Sequence, residues 1–153
     1  MTQLTPSVTF ALAKLKEHGY KYTLKREIIL TFLAQKNCYT SAKEIYNHLK
    51  QSFKGVSYDT IYRNLDTLVS LDLVEVTELS NEQKFLFHRE GAFYSHHHHF
   101  ICTYCGFIKE IALCPISDMT ADLDDYHIEG HKFEIYGMCP QCIKEKAQVS
   151  QLN

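Results

Sequence analysis

The sequence predicts an α+β chain of two modules, one helical and closed by a hairpin, the other built from short strands around metal. Three observations carry this. Helical segments with cap signals fill the first half, and two short strand segments follow them. Two Cys-x-x-Cys pairs, Cys102/Cys105 and Cys139/Cys142, stand in the second half. Charge divides the same way: residues 1–72 carry ten Lys/Arg against six Asp/Glu, and residues 73–153 carry six against twelve. A basic half suits approach to a polyanion, and an acidic half attracts cations. The expected division is residues 1–90 and 91–153.

The first helix is expected over Val8–His18, with Gly19 just past its end. Thr23 can cap a second, with Ile28, Ile29, Phe32 and Leu33 inside and Arg26 outside. Ser41-Ala-Lys-Glu44 is a capping-box pattern, and it opens a third helix with Ile45, Tyr46 and Leu49 as its apolar positions. Lys54-Gly55 breaks the chain. Ser57 then caps a fourth helix, with Asp59 in the first turn, where the macrodipole favours an anion. Ile61, Leu65 and Leu68 fall at i, i+4 and i+7 and should face the core. Tyr58, Asp59, Tyr62, Arg63 and Asp66 project from another arc. Two strands are expected at Leu73–Glu78 and Lys84–His88, joined by Ser80-Asn81-Glu82.

That order is the order of a winged helix, in which the last helix enters the major groove of DNA and the hairpin touches its backbone. Arg63 could read guanine edges and Tyr62 could meet a thymine methyl. Periodicity alone fits a solvated helix face equally well. The apolar runs, such as Ile28-Ile29-Leu30, are too short to span a bilayer, so no membrane partner is expected. The N-terminus lacks a basic start followed by a long apolar run, which makes the cytoplasm the expected compartment. There, cysteines are metal ligands more often than disulfides.

A Cys-x-x-Cys turn can offer one metal two thiolates about 3.5–4 Å apart, and two such turns complete a closed tetrahedral zinc site. A redox pair would need only one. Cys38 reads as a small buried apolar residue. Just ahead of Cys102 stands His96-His97-His98-His99. Read as a strand over residues 96–102, it sends His97 and His99 to one face and His96 and His98 to the other. One strand could thus serve two metal sites. Glu110 is reachable from the first face across a hairpin whose second strand is Phe107–Ala112, and Glu75 and His88 lie on the wing. Near the second face are His131, at the start of the strand HKFEIYG, and Asp118 or Cys114, near a helix expected at Ser117–Leu123.

The segments "GYKYTLKREIIL", "SYDTIYRNLDTL", "HHHHFICTYCGFIKEI" and "GHKFEIYGMCPQC" together resemble the ferric uptake regulator family of metal-dependent bacterial repressors. Within it they look most similar to zinc uptake regulators. The resemblance covers nearly the whole chain. It implies an N-terminal winged-helix DNA-binding domain, a hinge, and a C-terminal α/β dimerisation domain, acting as a homodimer on double-stranded inverted-repeat operators. By similarity Cys102, Cys105, Cys139 and Cys142 hold a structural zinc. A hinge regulatory site maps onto Glu75, His88, His97, His99 and Glu110. A second site in the dimerisation domain maps onto His96, His98 and His131, with its acidic ligand near Cys114 to Asp118, here taken as Asp118. Lys43, Tyr62 and Arg63 match positions that meet DNA in relatives. Peroxide-sensing relatives use an aspartate where this chain has Glu110, which argues against that chemistry.

The expected function is a zinc-responsive repressor of zinc-uptake genes, with one structural and one or two regulatory Zn2+ per chain, and no enzyme activity. An iron- or manganese-responsive repressor of the same family is the alternative. A zinc-dependent hydrolase is the alternative from another class, weakened by the lack of an HExxH or HxE…CxxC pattern. A histidine store for metal would leave the helical half without a role.

Overall fold

Thr5 opens the first helix, α1 (Pro6–Glu17), accepting from the N–H of Val8, with Pro6 at a first-turn position where no N–H is needed. Thr23 caps α2 (Leu24–Gln35) in the same way through the N–H of Arg26. The capping box at Ser41 and Glu44 is formed in full and starts α3 (Ala42–Lys50). Ser57 caps α4 (Tyr58–Ser70) through the N–H of Thr60, at 3.2 Å. These contacts come from a computed structural model that describes residues 4–36, 38–88 and 97–150, without the side chains at 117 and 150.

Two compact units result, Met1–Phe93 and Tyr94–Asn153. In the first, the four helices enclose a core of Val8, Ala11, Leu15, Ile29, Leu30, Leu33, Ile45, Leu49, Ile61, Leu65 and Leu68. Tyr46 and Phe32 are only partly buried beside it, and Cys38 is half-buried rather than buried. Lys14 donates to the carbonyl of Leu71 at the C-terminal end of α4, where the macrodipole favours a cation.

The same unit holds a three-stranded sheet in the order β1-β3-β2, with β1 (Thr40–Ser41), β2 (Val74–Leu79) and β3 (Glu82–Phe87). The hairpin strands start and end within a residue or two of expectation. Their loop is Ser80-Asn81, both with positive φ, the geometry that matches strand twist in a two-residue turn. The short β1, unforeseen in the sequence, pairs Thr40 with Phe85 and Ser41 with Lys84.

The second unit is a sheet in the order β5-β4-β6, with β4 (His98–Cys102), β5 (Ile108–Ile111) and β6 (Glu134–Gly137). β4 runs antiparallel to β5 and parallel to β6. The helix expected over Ser117–Leu123 is a single turn, α5 (Ile116–Met119), with no side-chain cap. The Asp-rich stretch that follows has no apolar periodicity to extend it. A further helix not expected above, α6 (Pro140–Ser150), starts at Pro140, a residue suited to a first helical position. Among the described residues no helix is long and apolar enough to cross a membrane.

Candidate metal centres and DNA face

The first knuckle turns at Gly106, whose positive φ lets its N–H reach the carbonyl of Cys102 at 2.9 Å. Cys102 ends β4, and Cys105 lies in that turn. Cys139 sits just before α6 and Cys142 in its first turn, where the helix N-terminus favours a thiolate. Cys102 and Cys142 sulfurs are 3.9 Å apart, and those of Cys105 and Cys139 are 3.8 Å apart. All four sulfurs lie within 4.8 Å of one another, as one tetrahedral ion with thiolate ligands requires.

Burial pushes the Cys102 thiol up, but N–H groups of Cys105, Cys139 and Tyr104 outweigh it and bring its pKa down to about 6. The N–H of Cys139 donates to that sulfur at 3.3 Å. Cys142 moves the opposite way, pushed up by burial and then by the sulfurs of Cys139, Cys105 and Cys102. Four sulfurs this close cannot all ionise without a cation between them, so the donor set fits a divalent metal.

The histidine strand divides as its alternation requires. His97 and His99 place their ring centroids 4.9 Å apart. His98 turns to His131, with centroids 5.2 Å apart, and packs edge-on against Phe133. His98 and His99 are both buried. His96 lies outside the described residues. On β5, Glu110 is exposed and directly opposite His99 in the register. On β6, Glu134 is level with His99 from the other side, held by Lys132 at 2.9 Å and by the Tyr136 hydroxyl. Only the parallel β4–β6 pairing brings Glu134 there, so no local sequence signal marks it.

His98, Cys114 and His131 each offer a ligand atom within 4.8 Å of the others. Cys114 Sγ is 3.3 Å from His131 Nε2. Asp118 is exposed on α5 and is not among these three.

In the first unit, His88 Nδ1 lies 2.7 Å from the carbonyl of Asp72, and Nε2 lies 3.2 Å from a Glu75 oxygen. The other Glu75 oxygen accepts from the Tyr39 hydroxyl at 3.0 Å. Burial opposes a charge on His88, but Glu75 and the Asp72 carbonyl favour it, and the net effect raises its pKa. A carbonyl on Nδ1 is the arrangement that orients a metal-binding Nε2. Tyr39, which carries no local signal in the sequence, fixes Glu75 from 36 positions away.

The residues expected to meet DNA lie on α3 and α4. Ile61, Leu65 and Leu68 are fully buried, while Tyr58 and Tyr62 are 44% and 41% exposed. Tyr58 stacks on Tyr46 at 4.2 Å. Arg63 pairs with Asp59 at 2.9 Å, and both side chains are largely in solvent. Lys43 is exposed near the start of α3. An exposed ion pair of this kind holds little energy, so Arg63 can exchange Asp59 for another partner cheaply.

A family model described as the Ferric uptake regulator family matches residues 17–136. The chain belongs to that family. It is 42% identical over 132 residues to the Ferric uptake regulation protein of Staphylococcus epidermidis, covering 86% of this chain and 93% of that one. It is similar to a solved zinc uptake regulator complexed with zinc and DNA, with a TM-score of 0.73 at 21% identity, covering 94% of this chain and 99% of that one. The ferric uptake regulator of Helicobacter pylori, whose structure is described as revealing three functional metal binding sites, gives a TM-score of 0.67 at 24% identity over 94% and 97% of the two chains. These two structural likenesses concern the fold. Members of the ferric uptake regulator family are DNA-binding transcription regulators rather than enzymes, and this chain is a metal-responsive transcriptional regulator of that family.

Proposed function

We propose that the chain is a zinc-responsive repressor that binds operator DNA as a metal-loaded homodimer in the cytoplasm and controls zinc-uptake genes. Donor chemistry carries the choice of metal: four thiols in one cluster, and imidazoles at His97, His98, His99 and His131. Imidazole and thiolate suit zinc, whereas manganese prefers carboxylate, carbonyl and water. The four cysteines would hold one structural zinc, and one or two exchangeable zinc ions would complete the set. The zinc- and DNA-bound regulator of similar fold supports this reading, as do the three metal sites described for the Helicobacter protein.

Glu75 and His88 of the first unit and His97, His99 and Glu110 of the second would share the hinge site. A ligand set divided between two units lets metal occupancy restrict their movement. The paired α4 helices of a dimer would then be held at the spacing of successive major grooves, about 34 Å. Lys43, Tyr58, Tyr62 and Arg63 would meet the DNA. Linkage requires DNA to tighten metal binding by the same factor. Moving the population from 1:99 to 99:1 takes about 5.5 kcal/mol, divisible over two hinge sites. Ile135, Tyr136, Ile143 and Val149, all exposed on the second unit, supply apolar surface for the homodimer.

An iron- or manganese-responsive repressor is the second reading. It is favoured by the 42% identity to a ferric uptake regulation protein and by the two carboxylates, Glu75 and Glu110, in the ligand set. Operator binding measured at buffered free zinc, iron(II) and manganese(II) separates the two. Zinc should tighten binding at the lowest free concentration, and His97→Ala should remove that dependence. A lower threshold for iron(II) would transfer the function to iron.

A further inference from the structure

The cluster on the His98 side of β4 has a thiol where a carboxylate was expected. We propose that Cys114 is a metal ligand there, making with His98 and His131 a two-imidazole, one-thiolate centre that selects zinc over iron(II) and manganese(II). The regulatory meaning of this centre rests on the zinc reading above; its donor set does not.

Three separate segments meet at the site, and the sheet register explains why. His98 pairs with Ile111 at the end of β5, so the chain leaving β5 reaches Cys114 three residues beyond the level of His98. Glu134 is level with His99 in the parallel pairing, so His131, three residues earlier, arrives at the same end of the sheet. The outcome is a sulfur 3.3 Å from an imidazole nitrogen, with a ligand atom of His98 within 4.8 Å of both. His98 is 4% exposed and has the Phe133 ring at 5.3 Å, so one wall of the site is apolar. Cys114 is half-buried and His131 exposed, which leaves an entry path on the opposite side.

Three protein ligands of this kind leave one position of a tetrahedron for water or a further donor. Zinc has no geometric preference of its own and accepts sulfur and nitrogen together. Manganese(II) and iron(II) stand lower in the affinity series, and manganese favours oxygen. A carboxylate at this position would flatten that difference; a thiolate widens it. Copper(I) is the other ion that thiolate attracts, and the test includes it.

The experiment uses the full chain with its four-cysteine site kept filled with zinc, verified as one retained metal per chain. Cobalt(II) is then titrated in. A thiolate-to-cobalt charge-transfer band should appear in the near ultraviolet and vanish in Cys114→Ser, while visible d–d bands from the remaining sites persist. Zinc affinity of that site should fall by at least about tenfold, the lower end of what losing even an outer partner of a ligand costs. Cys114→Asp should raise manganese(II) affinity above that of Cys114→Ser without restoring zinc preference. Should Cys114→Ser fail to fold, alkylation of the unmodified protein decides: zinc beyond the first equivalent should protect Cys114 while leaving Cys38 reactive. Equal alkylation of Cys114 with and without that zinc, or a cobalt spectrum without a thiolate band, overturns the proposal. So does a preference of this site for copper(I) under reducing conditions at matched free metal. Loss of zinc-dependent operator binding with the thiolate band intact would instead sink only the zinc-repressor reading.

Discussion

The first unit closes around side chains that carry no charge and ligate nothing. Ile29, Leu30, Leu33, Ile45, Leu49, Ile61, Leu65 and Leu68 are its centre, each essentially without solvent exposure. In the second unit the buried residues, among those described, are Ile101, Cys102, Cys139, His98 and His99. Four of those five carry a potential metal ligand. Leu113, Tyr126, Ile143 and Val149 of the same unit stay exposed. A short module that buries this little apolar surface needs staples, and here the staples are donors. The difference teaches where each unit is vulnerable: one to cavities, the other to loss of metal.

Removing the metal proposed for the four-cysteine site should therefore have the largest effect, confined to one side of the comparison. Chelation of the four-cysteine site, or Cys102→Ser, should make the amides of β4 and β6 exchange with solvent at close to unfolded rates. The amides of α4 should remain protected. Binding free energies of roughly 10–16 kcal/mol for zinc in small thiolate domains set the scale. Hydrogen exchange by mass spectrometry reads both units in one sample. Protection of β4 that survives chelation would show that apolar packing, not metal, holds the second unit.

Leu65→Ala turns the comparison round. Leu65 is fully buried in the centre of the helical core, so its truncation should cost about 2–5 kcal/mol. Denaturant unfolding followed at the helices would measure this. Metal retained per chain should not change. Metal loss in parallel with the helical transition would mean that the two units unfold as one.

What could be read from the sequence follows the same division. Local signals survived translation into structure: the three caps at Thr23, Ser41 and Ser57, the Cys-x-x-Cys pairs, and the alternation that separates His97/His99 from His98. Each depends on residues within a few positions of one another. Features set by long-range pairing were hidden. β1 exists because Thr40 and Ser41 meet Phe85 and Lys84. Tyr39 reaches Glu75 across 36 positions of sequence. Cys114 and Asp118 could not be told apart from sequence, since the choice depends on where the chain passes after β5. The helix expected at Ser117–Leu123 shrank to one turn because a four-residue helix without a side-chain cap has nothing to extend it.

A smaller effect should come from the face proposed to meet DNA. Arg63 is 80% exposed at the side chain and touches only its helix neighbour Asp59 among the ion pairs of the described residues. Arg63→Ala should leave stability within about 0.5 kcal/mol. Operator affinity should fall by about 1–3 kcal/mol if the guanidinium reads a base. Fluorescence anisotropy at fixed salt and saturating metal gives the second number. A loss that is uniform over operator and random DNA would reassign Arg63 to phosphate contact.

The smallest effect is also the most discriminating, because it touches stability and DNA through one residue. Ser57 Oγ accepts from the N–H of Thr60 at 3.2 Å and lies 3.0 Å from the Thr60 hydroxyl. Ser57→Ala should cost about 1 kcal/mol by freeing the first turn of α4, with metal affinity in the second unit unchanged. Ser57→Asp should recover that stability, since aspartate caps well and its charge suits the helix N-terminus. It also puts a negative charge beside Tyr58, at the start of the helix proposed to enter the groove. Stability restored with operator affinity still reduced would place the start of α4 against the phosphate backbone. Full recovery of both would move the DNA contact further along the helix, toward Tyr62 and Arg63.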